Sequence, residues 1–183
     1  MNVLFFYLIL YIILLVVSGK RYIVFFPTIP IYPNNEKEAL LVKNATIKRS
    51  KKDEQFFYLT DLTVSSAFQN IVNESKDSLN KIIGNEKIIS TILFFKYSIN
   101  RARPNQVLPK LDVLQSVTAN TPAYPAGHAF QAYYLAKILK KKYPEKHNQL
   151  DIIAEKCNDC RIKAGLHYPS DGLFAKELVE RFY

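Results

Sequence analysis

Three short segments combine basic residues, histidines and a carboxylate at spacings that suit the binding and transfer of a phosphate group. The first segment runs from Lys96 to Pro104 and places Lys96 and Arg103 seven residues apart. Seven residues make two turns of an α-helix, so we expect both cations to project from one face at the C-terminal end of a helix. Taken alone, such a pair is more often part of a solvated helix surface.

The second segment is Tyr124-Pro125-Ala126-Gly127-His128, which precedes a helix predicted over 129–143. Gly127 allows the backbone to approach a ligand closely, and the free N–H groups at the start of a helix favour an anion there. His128 would stand beside that anion as a proton donor. A histidine at the start of a helix is also frequently a simple capping residue.

The third segment contains Arg161, His167 and Asp171. We expect Arg161 to end one helix, His167 to lie in the turn and Asp171 to begin the next helix. The Asp171 carboxylate could then accept a hydrogen bond from one ring nitrogen of His167, which would fix the tautomer and leave the other nitrogen as a nucleophile. The alternative is that Asp171 only caps its own helix.

Together these segments form a pattern that resembles the three-part signature of the type 2 phosphatidic acid phosphatase and vanadium haloperoxidase superfamily. The pattern reads Lys96-x6-Arg103-Pro104, Pro125-x-Gly127-His128, Arg161-x5-His167-x3-Asp171, and it spans residues 96–171. The resemblance implies a helical bundle with neither a metal ion nor a cofactor. It implies catalytic roles for His167, His128 and Asp171, and phosphate binding by Lys96, Arg103, Gly127 and Arg161.

The same resemblance implies a reaction in two steps. His167 attacks phosphorus to form a phospho-histidine, and His128 protonates the leaving alcohol and then activates water. We therefore expect hydrolysis of phosphate monoesters, either a lipid phosphate or a small soluble phosphate. The alternatives are a vanadate-dependent haloperoxidase, which the short chain disfavours, and a protein of low activity that binds phosphate or a lipid headgroup.

Two positions differ from the pattern of that superfamily. Ala126 replaces a serine between the proline and the glycine, and Cys160 replaces a serine before the arginine. A hydroxyl at position 126 would donate to a phosphoryl oxygen, a bond worth about 1.5–3 kcal/mol. We expect its loss to lower activity about tenfold or more without abolishing it.

Composition limits the remaining possibilities. The 183 residues suffice for one domain, and the five glycines form no nucleotide-binding motif. The net charge of +9 favours an anionic partner, but the basic runs 48–52 and 137–142 lack interleaved aromatic residues, so we predict no nucleic-acid binding. Cys157 and Cys160 have no further cysteine pair or histidine pair with which to form a zinc site.

The N-terminus carries an apolar run over 3–17, followed by Lys20 and Arg21. This run is shorter than the roughly 20 residues of a typical membrane span. We predict that residues 1–26 form a single-pass membrane anchor; the alternative is a signal segment that is cleaved before secretion. Lipid phosphatases of the superfamily have several spans, so this chain resembles the acid-phosphatase branch more closely.

The rest of the chain divides into two parts. Pro27, Pro30 and Pro33 predict an irregular, proline-rich linker over 27–60. Helical periodicity then predicts an all-α domain over 61–183, and the resemblance implies that this is the phosphatase domain. The predicted helices cover 61–84, 88–95, 129–143, 150–164 and 170–182.

Overall fold

The computed structural model describes residues 32–183, and this part of the chain is all-α, without a β-strand between residues 32 and 183. In chain order the helices are α1 (Asn35–Ile47), α2 (Lys51–Asp61), α3 (Ser65–Phe68), α4 (Lys76–Ile83), α5 (Glu86–Ile99), α6 (Pro104–Val107), α7 (Gly127–Lys142), a 3-10 turn (Pro144–Lys146), α8 (His147–Lys163) and α9 (Pro169–Phe182). The all-α prediction is therefore confirmed for the described residues.

Helix α7 lies at the centre of the fold and packs against both α8 and α9. Its apolar side includes Phe130, Leu135 and Leu139, which are almost fully buried. Helices α8 and α9 also approach each other closely: a Cβ at Gly172 would lie 1.9 Å from the Asn158 Oδ1 atom. A side chain at position 172 would therefore force the Asn158 side chain to move, so glycine allows this close packing at the start of α9.

The prediction of an irregular linker is wrong for residues 35–47 and 51–60, which form α1 and α2. Both helices pack against α8 and bury Ala39, Val42 and Phe57. The helical domain thus begins well before residue 61, and the proposed boundary at that position divides a helix from its last residue.

Local capping explains why these helices form despite the prolines. The Asn34 side chain accepts a hydrogen bond from the Lys37 N–H at 3.0 Å, so the residues after Pro33 start a helix rather than prevent one. Ser50 and Asp53 form a reciprocal capping box at the start of α2. Pro27 and Pro30 lie outside the described residues.

The single helix predicted over 61–84 is also wrong, since α3 and α4 are separated by a turn over 69–75. The Ser75 side chain accepts from the Ser78 N–H at 3.1 Å and starts α4 anew. The apolar periodicity continues across the turn because residues of both α3 and α4 face the same core, and it therefore predicted one helix in place of two. Helices α5, α7, α8 and α9 confirm the other four predictions, with ends shifted by a few residues.

The two basic runs take part in internal contacts. Arg49 pairs with Asp112 at 2.6 Å, and its guanidinium also donates to the Lys163 carbonyl. At the C-terminal end of α7, Lys142 pairs with Glu74. Part of the excess positive charge therefore joins distant segments of the domain.

The predicted anchor or signal segment, residues 1–26, lies outside the described residues. Between residues 32 and 183, no helix is both long enough and apolar enough to cross a membrane.

Candidate active site

A cavity of about 150 Å³ at the start of α7 brings the three sequence segments together. Six of the seven predicted site residues line it: Lys96, Arg103, Gly127, His128, Arg161 and His167. The seventh, Asp171, is fully buried behind His167. These residues come from α5, α7, α8 and the loops after α5 and α8, so only the tertiary fold assembles them.

His167 lies between a carboxylate and a guanidinium. Its Nδ1 atom donates to Asp171 Oδ2 at 3.0 Å, and its Nε2 atom accepts from Arg103 Nη1 at 3.3 Å. A carboxylate can only accept and a guanidinium can only donate, so both partners require the neutral tautomer with the proton on Nδ1. Nε2 therefore carries a lone pair, which accepts from the Arg103 guanidinium in the cavity wall.

Asp171 has both of the functions that the sequence left as alternatives. Its Oδ2 atom accepts from the Tyr168 N–H at 2.9 Å, which caps α9, and also from His167. Burial raises the pKa of Asp171, while the charge of Arg101, paired with Oδ1 at 2.7 Å, acts in the opposite direction. Arg101, Tyr168 and His167 together surround the carboxylate with donors.

Lys96 and Arg103 reach the cavity by a route that differs from the predicted one. Helix α5 ends at Ile99, and Asn100 follows in the left-handed conformation with φ of 51°. Arg103 is therefore not on the same helix face as Lys96; it enters from the turn before α6. Lys96 Nζ donates to the Pro122 carbonyl at 2.5 Å, and Arg103 donates to the Thr121 and Leu166 carbonyls.

His128 occupies the first turn of α7. Its Nε2 atom donates to the carbonyl oxygen of Asp61 at 2.8 Å, which leaves Nδ1 as the second titratable nitrogen. Burial and the positive charge of Arg161 lower the pKa of His128 well below 6.5. Burial and the charges of Arg103 and Lys96 likewise lower the pKa of His167. Both shifts favour the neutral form of the ring.

Gly127 begins α7 directly beside Lys96. A Cβ on Gly127 would lie 3.6 Å from Lys96 Cε and 3.6 Å from Ile92 Cγ2, which are ordinary contact distances. The packing therefore does not demand glycine here. The helix start combines free N–H groups with a positive dipole end on the wall of the cavity.

Arg161 is anchored by α2, more than ninety residues away in the chain. Its Nη1 atom pairs with Asp61 Oδ1 at 2.7 Å, and its Nη2 atom donates to the Thr60 carbonyl at 2.6 Å. The Arg161 Nε atom is buried and has no hydrogen-bond partner among residues 32–183. A buried donor without an acceptor is costly, and an anionic ligand in the cavity would supply one.

Asp61 is a site residue that the sequence reasoning missed. Although burial raises its pKa, hydrogen bonds from Ser116, the Val117 N–H and Arg161 lower that pKa overall. Asp61 thus ties α2 to the loop before α7 and to the end of α8. Nothing in the local sequence singles out this aspartate, because all of its partners are distant.

The cavity wall also contains groups that the three segments do not include. Three hydroxyl residues from the loop before α7 line it: Ser116, Thr118 and Thr121. Apolar residues of α5 also line it: Ile89, Ile92 and Leu93. Polar and apolar surfaces therefore meet around the cations.

The two departures from the superfamily pattern differ in their placement. Ala126 is fully buried and immediately precedes α7, next to cavity residue Gly127. Cys160 does not line this cavity; its thiol donates to the Cys157 carbonyl at 3.2 Å and lies 3.8 Å from the Thr60 hydroxyl. Neither residue lines the cavity, but Ala126 directly precedes Gly127, which does.

Comparison of the chain with protein-family models finds no match, and comparison with curated protein sequences also finds no relative. The function of the chain is therefore inferred from the geometry of the cavity and from the resemblance of its residues to the superfamily signature.

Proposed function

We propose that this chain is a metal-independent phosphatase of the type 2 phosphatidic acid phosphatase kind, with His167 as its covalent nucleophile. The observation that carries the proposal is the convergence of two oriented histidines, two guanidiniums and a lysine on one small cavity. Phosphoryl transfer mainly requires positioning and the neutralisation of charge on the equatorial oxygens, and these residues are of the types that supply both.

Lys96, Arg103 and Arg161 would bind the phosphoryl oxygens. The two guanidiniums offer planar pairs of donors that match phosphate geometry, whereas the lysine acts as a point charge. The backbone N–H groups at the start of α7 add neutral donors. With three cations in place, the proposed reaction does not need a metal ion.

In the first step, the Nε2 lone pair of His167 attacks phosphorus, an N–P bond forms, and the P–O bond to the alcohol breaks. Asp171 stabilises the positive charge that develops on the ring, as the orienting carboxylate does in hydrolase triads. Before the attack, a phosphoryl oxygen must replace His167 as the acceptor for Arg103 Nη1.

His128 would supply the proton for the leaving oxygen and would then accept a proton from the attacking water. Its pKa is lowered by burial and by Arg161. A bound phosphate dianion adds negative charge beside the ring and raises that pKa, so substrate binding itself favours the protonated form. Water then breaks the N–P bond and releases phosphate.

The substrate is a phosphate monoester whose alcohol contacts the apolar wall of α5. Both a lipid phosphate and a small soluble ester with an apolar group fit this description. With residues 1–26 as a single-pass anchor the domain would act beside a bilayer, and after cleavage of a signal segment it would act as a secreted enzyme.

The experiment that tests this function is hydrolysis of an aryl phosphate, with a chelator present, by wild type and by His167→Ala. We expect turnover by wild type, competitive inhibition by vanadate, and loss of turnover in the variant. His147→Ala is a matched control, because His147 is exposed and contacts the Lys140 carbonyl near the far end of α7.

Two other outcomes would replace the proposal. Oxidation of bromide with peroxide and vanadate would identify a haloperoxidase. Tight phosphate binding without turnover would identify a binding protein, which the absence of a hydroxyl at Ala126 makes chemically reasonable.

A further inference from the structure

A buried chain of charges runs from His167 through Asp171 and Arg101 to Glu38 on α1. Arg101 Nη1 donates to Asp171 Oδ1 at 2.7 Å, and Arg101 Nη2 donates to Glu38 Oε2 at 2.7 Å. The side chains of Arg101 and Asp171 have no exposed surface, and that of Glu38 is 9% exposed. The sequence reasoning singled out neither Arg101 nor Glu38.

All five N–H groups of the Arg101 guanidinium have acceptors. Besides the two carboxylates, its acceptors are Asn35 Oδ1, the Pro33 carbonyl and Ser170 Oγ. The ring of Tyr168 lies 3.8 Å from the guanidinium carbon and stacks against it. The plane of the guanidinium is therefore fixed by its surroundings, and it presents one defined edge to Asp171.

The two oxygens of Asp171 have separate partners. Oδ1 accepts from Arg101, while Oδ2 accepts from His167 and from the Tyr168 N–H. Without the bond to Oδ1, the carboxylate could rotate about its Cβ–Cγ bond and misalign Oδ2 with the imidazole. Arg101 thus determines which Asp171 oxygen His167 meets.

We propose that Arg101 and Glu38 are positioning residues that hold Asp171, and through it the His167 imidazole, in the orientation needed for attack. The role in attack rests on the proposed phosphatase function, whereas the orientation of the imidazole is a property of the fold itself. It follows that α1 completes the site. This helix, which lies where a linker was expected, contributes Glu38.

Glu38 stabilises the arrangement from outside. Its Oε2 atom accepts from Arg101 and from the Ser170 hydroxyl, and its Oε1 atom accepts from the Ser170 N–H in the first turn of α9. The buried guanidinium thus has a carboxylate partner on each side. Neutralising Glu38 would draw Arg101 more strongly towards Asp171 and alter the bond between Asp171 and His167.

The test compares wild type with Glu38→Gln and Arg101→Lys. The matched control is Glu74→Gln: Glu74 also accepts from a lysine, a tyrosine and a serine, and its side chain is 14% exposed. Glu74 pairs with Lys142 at the far end of α7, which is about 24 Å long at 1.5 Å per residue. A loss of activity from destabilisation alone would be similar in both glutamine variants.

Two readouts separate positioning from general stability. The first is the division between kcat and KM for an aryl phosphate. Partners that orient catalytic or metal-bound histidines typically contribute about 10–100-fold to activity, so we expect kcat to fall by that factor in Glu38→Gln and Arg101→Lys, with KM nearly unchanged.

The second readout is the far-downfield proton resonance of the His167 Nδ1–H in the NMR spectrum. It is assigned in protein with 15N-labelled histidine by its loss in His167→Ala.

We expect this resonance to shift in Glu38→Gln, to shift or broaden in Arg101→Lys, and to stay at the wild-type position in Glu74→Gln. Wild-type kcat together with an unchanged resonance in both Glu38→Gln and Arg101→Lys would overturn the proposal. Equal losses in Glu38→Gln and Glu74→Gln would also overturn it. If wild type does not hydrolyse phosphate esters, the phosphatase function falls, while the resonance still decides whether Glu38 and Arg101 orient His167.

Discussion

Arg103 Nη1 lies 3.3 Å from His167 Nε2, so the atom proposed as the nucleophile already accepts a hydrogen bond from a phosphate-binding arginine. The same guanidinium nitrogen donates to the Leu166 carbonyl at 2.9 Å. Arg103 therefore lies directly beside the point where phosphorus would bond to the ring. One side chain holds the tautomer of His167 and would also bind the incoming phosphoryl group.

Arg103→Lys should keep the positive charge and remove the planar pair of donors. Because a lysine cannot contact the ring, a carbonyl and a phosphoryl oxygen in the same way, we expect kcat/KM to fall about 100-fold or more. The measurement is steady-state hydrolysis of an aryl phosphate. A wild-type value of kcat/KM in Arg103→Lys would show that the planar pair of donors of Arg103 has no part in the reaction.

The control for this substitution is Arg49→Lys. Arg49 is a nearly buried arginine that pairs with Glu54 and Asp112 away from the cavity. Its replacement should lower the midpoint of urea unfolding and leave kcat/KM unchanged.

Ala126→Ser should restore the hydroxyl that the superfamily pattern has at this position. The serine would precede Gly127 at the N-cap of α7, where serine stabilises a helix by about 1 kcal/mol relative to alanine. It would also donate to a phosphoryl oxygen, so we expect kcat/KM to rise about tenfold. Urea unfolding and aryl phosphate hydrolysis measure the two effects.

Cys160→Ser is the matched control, because it restores the other serine of the pattern at a residue whose thiol contacts the Cys157 carbonyl and the Thr60 hydroxyl and does not line the cavity. We expect unchanged hydrolysis from this variant. An equal gain from both serines would show that the cavity is not the site of the reaction.

Gly127→Ala should separate stability from ligand binding. A Cβ at this position finds ordinary contact distances, and alanine is favoured over glycine in helices by up to about 1 kcal/mol. We expect equal or greater resistance to urea together with weaker inhibition by inorganic phosphate, because the methyl group lies beside Lys96. A variant with unchanged phosphate inhibition would remove Gly127 from the binding site.

Stability should fall as the pH is lowered through the normal range of histidine. The pKa values of His128 and His167 are lowered below 6.5 in the folded chain, so below that pH the unfolded chain binds more protons and folding becomes less favourable. Each histidine contributes a slope of at most about 1.4 kcal/mol per pH unit. Urea unfolding at about pH 7.5 and about pH 5.5 measures this slope.

The double variant His128→Gln/His167→Gln should have a shallower dependence over the same range. Asp171 has a raised pKa and so acts with the opposite sign, which makes the wild-type slope shallower than the two histidines alone would give. Identical slopes for wild type and the double variant would contradict the burial of neutral histidines.

The parts of the site that are local in sequence could be predicted from it. His167 and Asp171 are four residues apart at the start of a helix, and their hydrogen bond follows from that spacing. Gly127 and His128 could be placed for the same reason, since the proline and the helical run after them locate the start of α7.

Long-range partners could not be predicted. Asp61 meets Arg161 from one hundred residues away, and Glu38 meets Arg101 across sixty-three. Nothing in the local sequence distinguishes these carboxylates from solvated ones. The helix α1 was missed for a different reason: Pro33 and Asn34 favour a helix start as much as a helix break, and only packing against the domain decides between them.

The central claim, a phospho-histidine at His167, is tested most directly by trapping the intermediate. An aryl phosphate has a leaving group that needs no proton, so His128→Ala should complete the first step and fail in the second. After an alkaline quench, mass spectrometry should find phosphate on His167, with more in His128→Ala than in wild type and none in His167→Ala. Turnover without any phosphorylated His167, or turnover that survives His167→Ala, would contradict the account.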